Sequence, residues 1–400
     1  MKMRTKTMLI IIFTLILALG VRISCNRFIF PRAITSSEVE GSPVWSWGAN
    51  EYAQLGRGPE SSFSVSAPYL PGPVAYEGDP IDLATGWNHS MILGEDGTVV
   101  AWGLNEYGQV GKGRNGEYIW SPVKLHALVD VVDIAAGSYH SVAITSDGTV
   151  LTWGRNSHGE LGNGSKENSS TPTEVANLTN VKAVAAGDGF TVALVEDGTV
   201  WAWGDNNYGQ LGDGTTEDSA IPVQLDGLTD VEAIACGRFR TVALKTDGTI
   251  WGCGQNIYGQ LAAGKETNRS TPVQAQGIED AQSIACGTHH TLAVKEDGTV
   301  WAWGYGYKGE LGIDGFSDKS GIPRRIPTLE NIETVAGGWD YSIAISKDGE
   351  MWAWGRNWYG QYGMLTKPRE SDTPIKIEGV PRIKMLVCRT HHVIAIVEEP

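Results

Sequence analysis

The chain has 400 residues and a net charge of −15, with 31 Lys and Arg against 46 Asp and Glu. An acidic balance with no basic cluster excludes the phosphate-neutralising surface that a nucleic-acid partner needs. Five cysteines in this length exclude a disulfide-stapled scaffold, and no Cys-x-x-Cys pair suggests zinc.

The N-terminus carries Lys2, Arg4 and Lys6 ahead of an apolar run from Met8 to Val21. That run is short of the roughly 20 residues a spanning helix needs, so residues 1–25 read as an export signal. Cys25, after Ile23-Ser24, resembles a lipoprotein cleavage box and is a lipidation candidate. Arg22 departs from that box, and Ala18-x-Gly20 offers an ordinary cleavage site instead. The expectation is an exported chain, extracellular or attached to the cell envelope, touching a membrane only through this N-terminal anchor. Residues 26–42 form a polar linker, and the repeat domain spans 43–398.

From Val44 onward one unit recurs. Trp47, Trp102, Trp153, Trp203, Trp303 and Trp354 each precede a glycine, and Cys253 fills the remaining slot. The steps between these sites are 55, 51, 50, 50, 50 and 51 residues. Such a period marks one supersecondary unit repeated. Within Val181–Leu225, Val181–Ala186 and Thr191–Val195 are apolar runs, Thr199–Trp203 alternates, and a fourth run follows Pro222. Asp197-Gly198, like five equivalents, predicts a type I′ hairpin turn. Each unit is therefore a four-stranded antiparallel meander, with strands A to D.

A lone sheet with two apolar faces must stack on its neighbours, and radial stacking gives an all-β propeller. The repeated tryptophans are large enough to wedge between blades. A second marker, Gly-x-x-His-(Ser/Thr), falls at Gly86, Gly137, Gly187, Gly237, Gly287 and Gly337, with Cys388 in the last slot. The chain opens on a Trp-Gly half and closes on an A–B half. This predicts seven four-stranded blades, with the N- and C-terminal strands sharing one blade and closing the ring.

The repeated histidines, His89, His140, His290 and His391, alternate with Phe190, Arg240 and Asp340 in the same slot. A ring metal would not survive such replacements, so these are structural positions and no metal or cofactor is expected. Cys236 and Cys286 share one register and read as small core residues. No nucleophile elbow, phosphate loop or His-Glu-x-x-His is present, and no catalytic residue is assigned.

The pattern AxAxGxxH(S/T)xAL…DGxVWxWGxNxxGQLGxG, best matched by Ile134–Gly164 and Ile284–Gly312, resembles the regulator of chromosome condensation repeat. The resemblance implies a seven-bladed propeller. Members of that family include a nucleotide-exchange factor for a small nuclear GTPase, a plant UV-B photoreceptor and secreted bacterial β-lactamase inhibitors. In export, acidity and short loops this chain resembles the exported bacterial members. The photoreceptor needs clustered tryptophans, and only Trp87 occupies that slot here, with Trp339 one position later.

Strand direction places the A–B turns and the C–D loops on one rim. The rim residues expected to bind are Trp87, Tyr139, Phe190, Arg238, Phe239, His289, Trp339 and Trp358. Aromatics with arginine are what protein-binding hot spots use. The expectation is a monomeric, non-catalytic scaffold that binds another protein through this rim. An exchange regulator and a cell-surface enzyme remain as alternatives.

Overall fold

The computed structural model describes residues 41–59, 70–315, 318–364 and 368–398, all within the unit Ser36–Pro400. The expectations for residues 1–25, Cys25 among them, lie outside the described residues. Twenty-eight strands form seven four-stranded antiparallel sheets among the described residues. No helix among them is long and apolar enough to cross a membrane.

One blade shows the construction. Strands β11 (Val181–Ala186), β12 (Phe190–Val195), β13 (Val200–Gly204) and β14 (Ser219–Gln224) pair in sequence order. The first strand of each blade stands beside those of its neighbours, and all seven line a central channel. The outermost strand β14 carries Pro222 inside it, where a missing N–H costs little. The hairpin after β12 is not type I′. Gly198 has positive φ (80°) but Asp197 does not. Instead the Asp197 carboxylate accepts from the Thr199 N–H (2.9 Å) and hydroxyl (2.6 Å), a side-chain turn that leaves only the glycine left-handed.

The ring closes through the termini. β1 (Val44–Gly48) pairs antiparallel with β28 (His392–Val397), from Val44↔Ile396 to Gly48↔His392. β27 (Ile383–Cys388) is the inner strand of that blade, and the two-residue β2 (Gly72–Pro73) is its outer edge.

The hydrophobic core lies between blades rather than within them. Trp203 packs with Ala193 and Val195 of its own blade against Val142, Ile144, Val150, Val175 and Leu178 of the preceding one. The other interfaces repeat this arrangement around Trp47, Trp354, Trp303 and Cys253, and around Trp102 and Trp153. All six tryptophans are fully buried. Each indole N–H donates to a loop carbonyl of the preceding blade, such as Trp153 to Gln109, Trp203 to Glu160 (both 2.9 Å) and Trp47 to Gln361 (2.8 Å). The Cys253 thiol makes the same contact to Gln210 at 3.4 Å. Glycine follows the tryptophan for a steric reason. Gly204 has φ +104°, and a Cβ there would lie 2.4 Å from the Gly189 carbonyl.

Strand pairing corrects the assignment in the last two turns. Gly337 pairs with Ser342 as Cys286 pairs with Thr291, so Gly337 ends its strand and Gly338 is the turn glycine. Tyr341, not Asp340, then occupies the histidine slot, and Trp339, not Trp87 alone, stands in the position after the turn glycine. In the closing blade Cys388 pairs with Val393, which places Arg389 in the glycine slot and His392, not His391, in the histidine slot.

Candidate protein-binding face

The A–B turns are tied to one another by backbone bonds. The Ser138 N–H donates to Gly187 (3.2 Å), Asp188 to Arg238 (2.9 Å), Thr288 to Gly338 (3.0 Å) and Trp339 to Thr390 (3.1 Å). Beneath them, His89 Nε2 bonds the Ser141 hydroxyl of the next blade (2.9 Å), and His140–Thr191 (2.9 Å), His290–Ser342 (2.8 Å) and His392–Ser90 (3.2 Å) repeat the link. Burial pushes these four histidines down to about 3, so they stay neutral across the physiological range and act as inter-blade pins. The scaffold under the rim is therefore fixed before any partner arrives.

On this scaffold most of the aromatic side chains form one connected band, with a second cluster around Tyr258. Trp87 meets Tyr139 (5.3 Å between ring centroids) and Trp339 (5.9 Å). Tyr139 meets Tyr107 (5.3 Å), Trp339 stacks on His391 (5.5 Å), and His391 stacks on Tyr359 (4.6 Å). Arg238 lies over the rings of Phe239 (4.7 Å), Trp87 (5.4 Å) and Trp339 (5.8 Å), and Phe239 stacks on Tyr208 (4.9 Å). His289 and Tyr305 both meet Tyr258, at 5.3 and 5.0 Å. Trp358, under the Arg356 guanidinium at 4.4 Å, is 58% exposed.

Of the rim residues expected from sequence, Trp87, Tyr139, Arg238, Phe239, His289 and Trp339 are half-buried on this face. Phe190 is not on it. It is 0% exposed and packs in the inter-blade core, because it occupies the histidine slot at the start of β12. His391, expected among the buried structural histidines, is instead a rim residue. Tyr305 joins the face without having been expected there, although an aromatic directly after a Trp-Gly was its visible signal.

The charges of the face are mostly paired. Arg356 meets Asp340 at 2.7 Å and Arg238 meets Asp188 at 3.2 Å. Burial, with nearby guanidinium groups, lowers His289 and His391 to about 4, so both present neutral rings near pH 7. His158 Nδ1 lies 3.0 Å from Asp218 and 3.9 Å from Asp205. Among the described residues this trio is the group spaced to hold a metal ion. Its carboxylates already accept from the Asn206 N–H (3.0 Å) and the Gln210 amide (2.8 Å).

Glu310 is a buried acid under the same face. Its slot holds glutamine in five other blades, at Gln54, Gln109, Gln210, Gln260 and Gln361. It is 0% exposed, Oε2 accepts from the Lys308 N–H (2.7 Å), and Oε1 has no partner. Burial, with the Asp340 charge adding to it, raises its pKa from 4.5 to about 8. An acid raised on folding favours the native state fully below its unfolded pKa, and that contribution is lost as pH climbs towards 8. Glu310→Gln is therefore expected to gain stability over the parent between pH 5 and pH 8.5, by about 4 kcal/mol. Urea unfolding at the two pH values measures it, and an unchanged difference would refute the assignment.

Known proteins share this architecture. A family model described as the RCC1-like domain matches residues 32–320 and, in a second overlapping match, 177–400. The RCC1 domain-containing protein RUG3, mitochondrial, of Arabidopsis thaliana is 34% identical over 152 residues, covering 35% of this chain and 33% of that protein. This chain thus matches about a third of that relative's length. Human WBSCR16 superposes with a TM-score of 0.79 at 23% identity, covering 89% of this chain and 99% of that one. Prp20p of Saccharomyces cerevisiae, described with its binding to Gsp1p and histones, superposes with a TM-score of 0.77 at 24% identity, covering 89% and 91%.

Proposed function

Because the chain belongs to the RCC1-like domain family, we propose that it is a non-catalytic propeller that binds another protein through the aromatic face. The observation that carries this reading is the band running from Tyr107 through Tyr139, Trp87, Trp339 and His391 to Tyr359, with Arg238 laid over its centre. Rings already stacked on one another lose little side-chain entropy on binding, and half-buried tryptophans beside arginine are the usual anchors of an interface. The family likeness to Prp20p, with its Gsp1p and histone binding, supports a protein partner.

We also propose that the chain is exported. The support is the basic start and apolar run of residues 2–21. An exchange regulator like the namesake of the repeat family is the second reading, favoured by the shared ring. Cell fractionation with the N-terminal mass separates the two, since a cytosolic, uncleaved chain would remove the exported binder.

Trp87→Ala and Trp339→Ala are each expected to lower partner capture at least tenfold, matching a hot-spot loss of about 1.4 kcal/mol or more. Capture from secreted and envelope proteins, with unfolding midpoints as a control, measures this. Undiminished capture by both variants would sink the face assignment.

A further inference from the structure

The glycine slot of the A–B turn holds Gly86, Gly137, Gly187, Gly237, Gly287 and Gly338 in six blades and Arg389 in the seventh. At the six glycines a Cβ would collide with the first side chain of the following strand, for example 2.2 Å from the His89 ring and 2.0 Å from the His290 ring. Six bare positions leave a space at this level of the channel. The seventh position of the slot carries a guanidinium. The resulting cavity is about 220 Å³ and is lined by residues from every inner strand, with Trp87, Arg238, Thr288 and Arg389 at its aromatic end.

We propose that this end of the channel is a seat for one carboxylate group, held by Arg389 with Arg238 beside it. The seat deepens the protein-binding reading, on which the identity of its natural occupant rests. Three observations support it. First, one terminal nitrogen of Arg389 donates to both the Ala136 (2.7 Å) and Ala186 (2.6 Å) carbonyls. A guanidinium has five N–H donors, and the rest have no protein acceptor among the described residues. A mere plug would be satisfied by the wall it closes. Second, no carboxylate pairs with Arg389 among the described residues. Asp188, the acid whose charge reaches it, is engaged by Arg238 at 3.2 Å. A half-buried cation without a counter-charge is costly, and an incoming carboxylate relieves that cost. Third, the surroundings add positive charge. Arg240 is fully buried nearby and donates to the carbonyls of Thr288 (2.8 Å), Gly287 (3.0 Å) and His290. Burial, with these arginines adding to it, depresses the histidines around them. An acidic chain thus keeps a cationic centre in the middle of its aromatic face.

Guanidinium grips a carboxylate through two parallel N–H···O bonds, which spherical chloride cannot match. The group can come from an acidic side chain of the seated partner or from a free small carboxylate. The test needs no partner. Arginine side-chain Nε–H resonances of the labelled protein are followed during titration with sodium acetate, with the peptide acetyl-Gly-Gly-Asp-Gly-Gly-amide and with its Asn counterpart, at constant ionic strength set by chloride. One resonance, missing from the Arg389→Gln spectrum, is expected to shift saturably with acetate and with the Asp peptide but not with the Asn peptide. Arg389→Gln should bind at least tenfold more weakly. Arg389→Lys keeps the charge without the fork, and is expected to fall between. Response to acetate alone would assign the seat to free carboxylates and reject the partner side chain. No saturable shift with either probe, or a shift that survives in Arg389→Gln, would overturn the proposal. Should the glutamine variant fail to fold, the parent titration and the lysine variant decide. Loss of partner capture in Trp87→Ala leaves this result untouched, so the two readings fail separately.

Discussion

Replacing Trp203 with alanine is expected to lower the unfolding free energy of the ring by about 3–5 kcal/mol. A lost hydrogen bond and a void both contribute, and they differ in size. The indole N–H donates to the Glu160 carbonyl at 2.9 Å, but that carbonyl also accepts from the Thr191 hydroxyl at 2.9 Å. Losing one of two donors leaves no orphaned acceptor, so the lost hydrogen bond costs about 1 kcal/mol or less. The void costs more. Trp203 is fully buried between two sheets, each fastened through its own backbone ladder to strands that cannot close inward. Trp201, two residues earlier and half-buried against the same cluster, is the control, with an expected loss of about 1 kcal/mol. Denaturant midpoints at unchanged slope measure both. A Trp203→Ala loss no larger than that of Trp201→Ala would mean that the wedge does not hold the blades.

The same packing explains what could be read from the sequence. A tryptophan between nearly every pair of blades and a glycine after it, forced by the carbonyl facing Gly204, print a period that needs no structure to be seen. Blade number and the shared terminal blade come from counting halves. The details lost were those where two equal residues adjoin. Gly337-Gly338 and His391-His392 each offer two registers, and only the pairs Gly337↔Ser342 and Cys388↔Val393 decide between them. That one-residue ambiguity conceals Arg389 as the seventh member of the glycine slot. It also makes His391 look like a buried pin, when it stacks between Trp339 and Tyr359. Phe190 reads as a rim residue because aromatic character alone does not report which side of the turn a residue occupies. The contacts of His158 with Asp205 and Asp218 join loops of two blades and leave no local pattern.

The aromatic face exists as one surface only if the ring is shut, and the shutting rests on five residue pairs between β1 and β28. Chain-terminal strands ordinarily fray and exchange their amide hydrogens early. Here they are expected to behave as the middle of a sheet, because β28 lies between β1 and β27 and its side chains Val393, Ile394 and Ala395 have no exposed surface. Hydrogen exchange of the intact protein, read on segments 44–48 and 392–397 beside 190–195 and 200–204, is the direct measurement. Protection of the terminal segments matching that of β12 and β13, and lost in the same cooperative step, is the expected result. Terminal segments exchanging a thousandfold or more ahead of that step, a gap of about 4 kcal/mol, would contradict the closed ring.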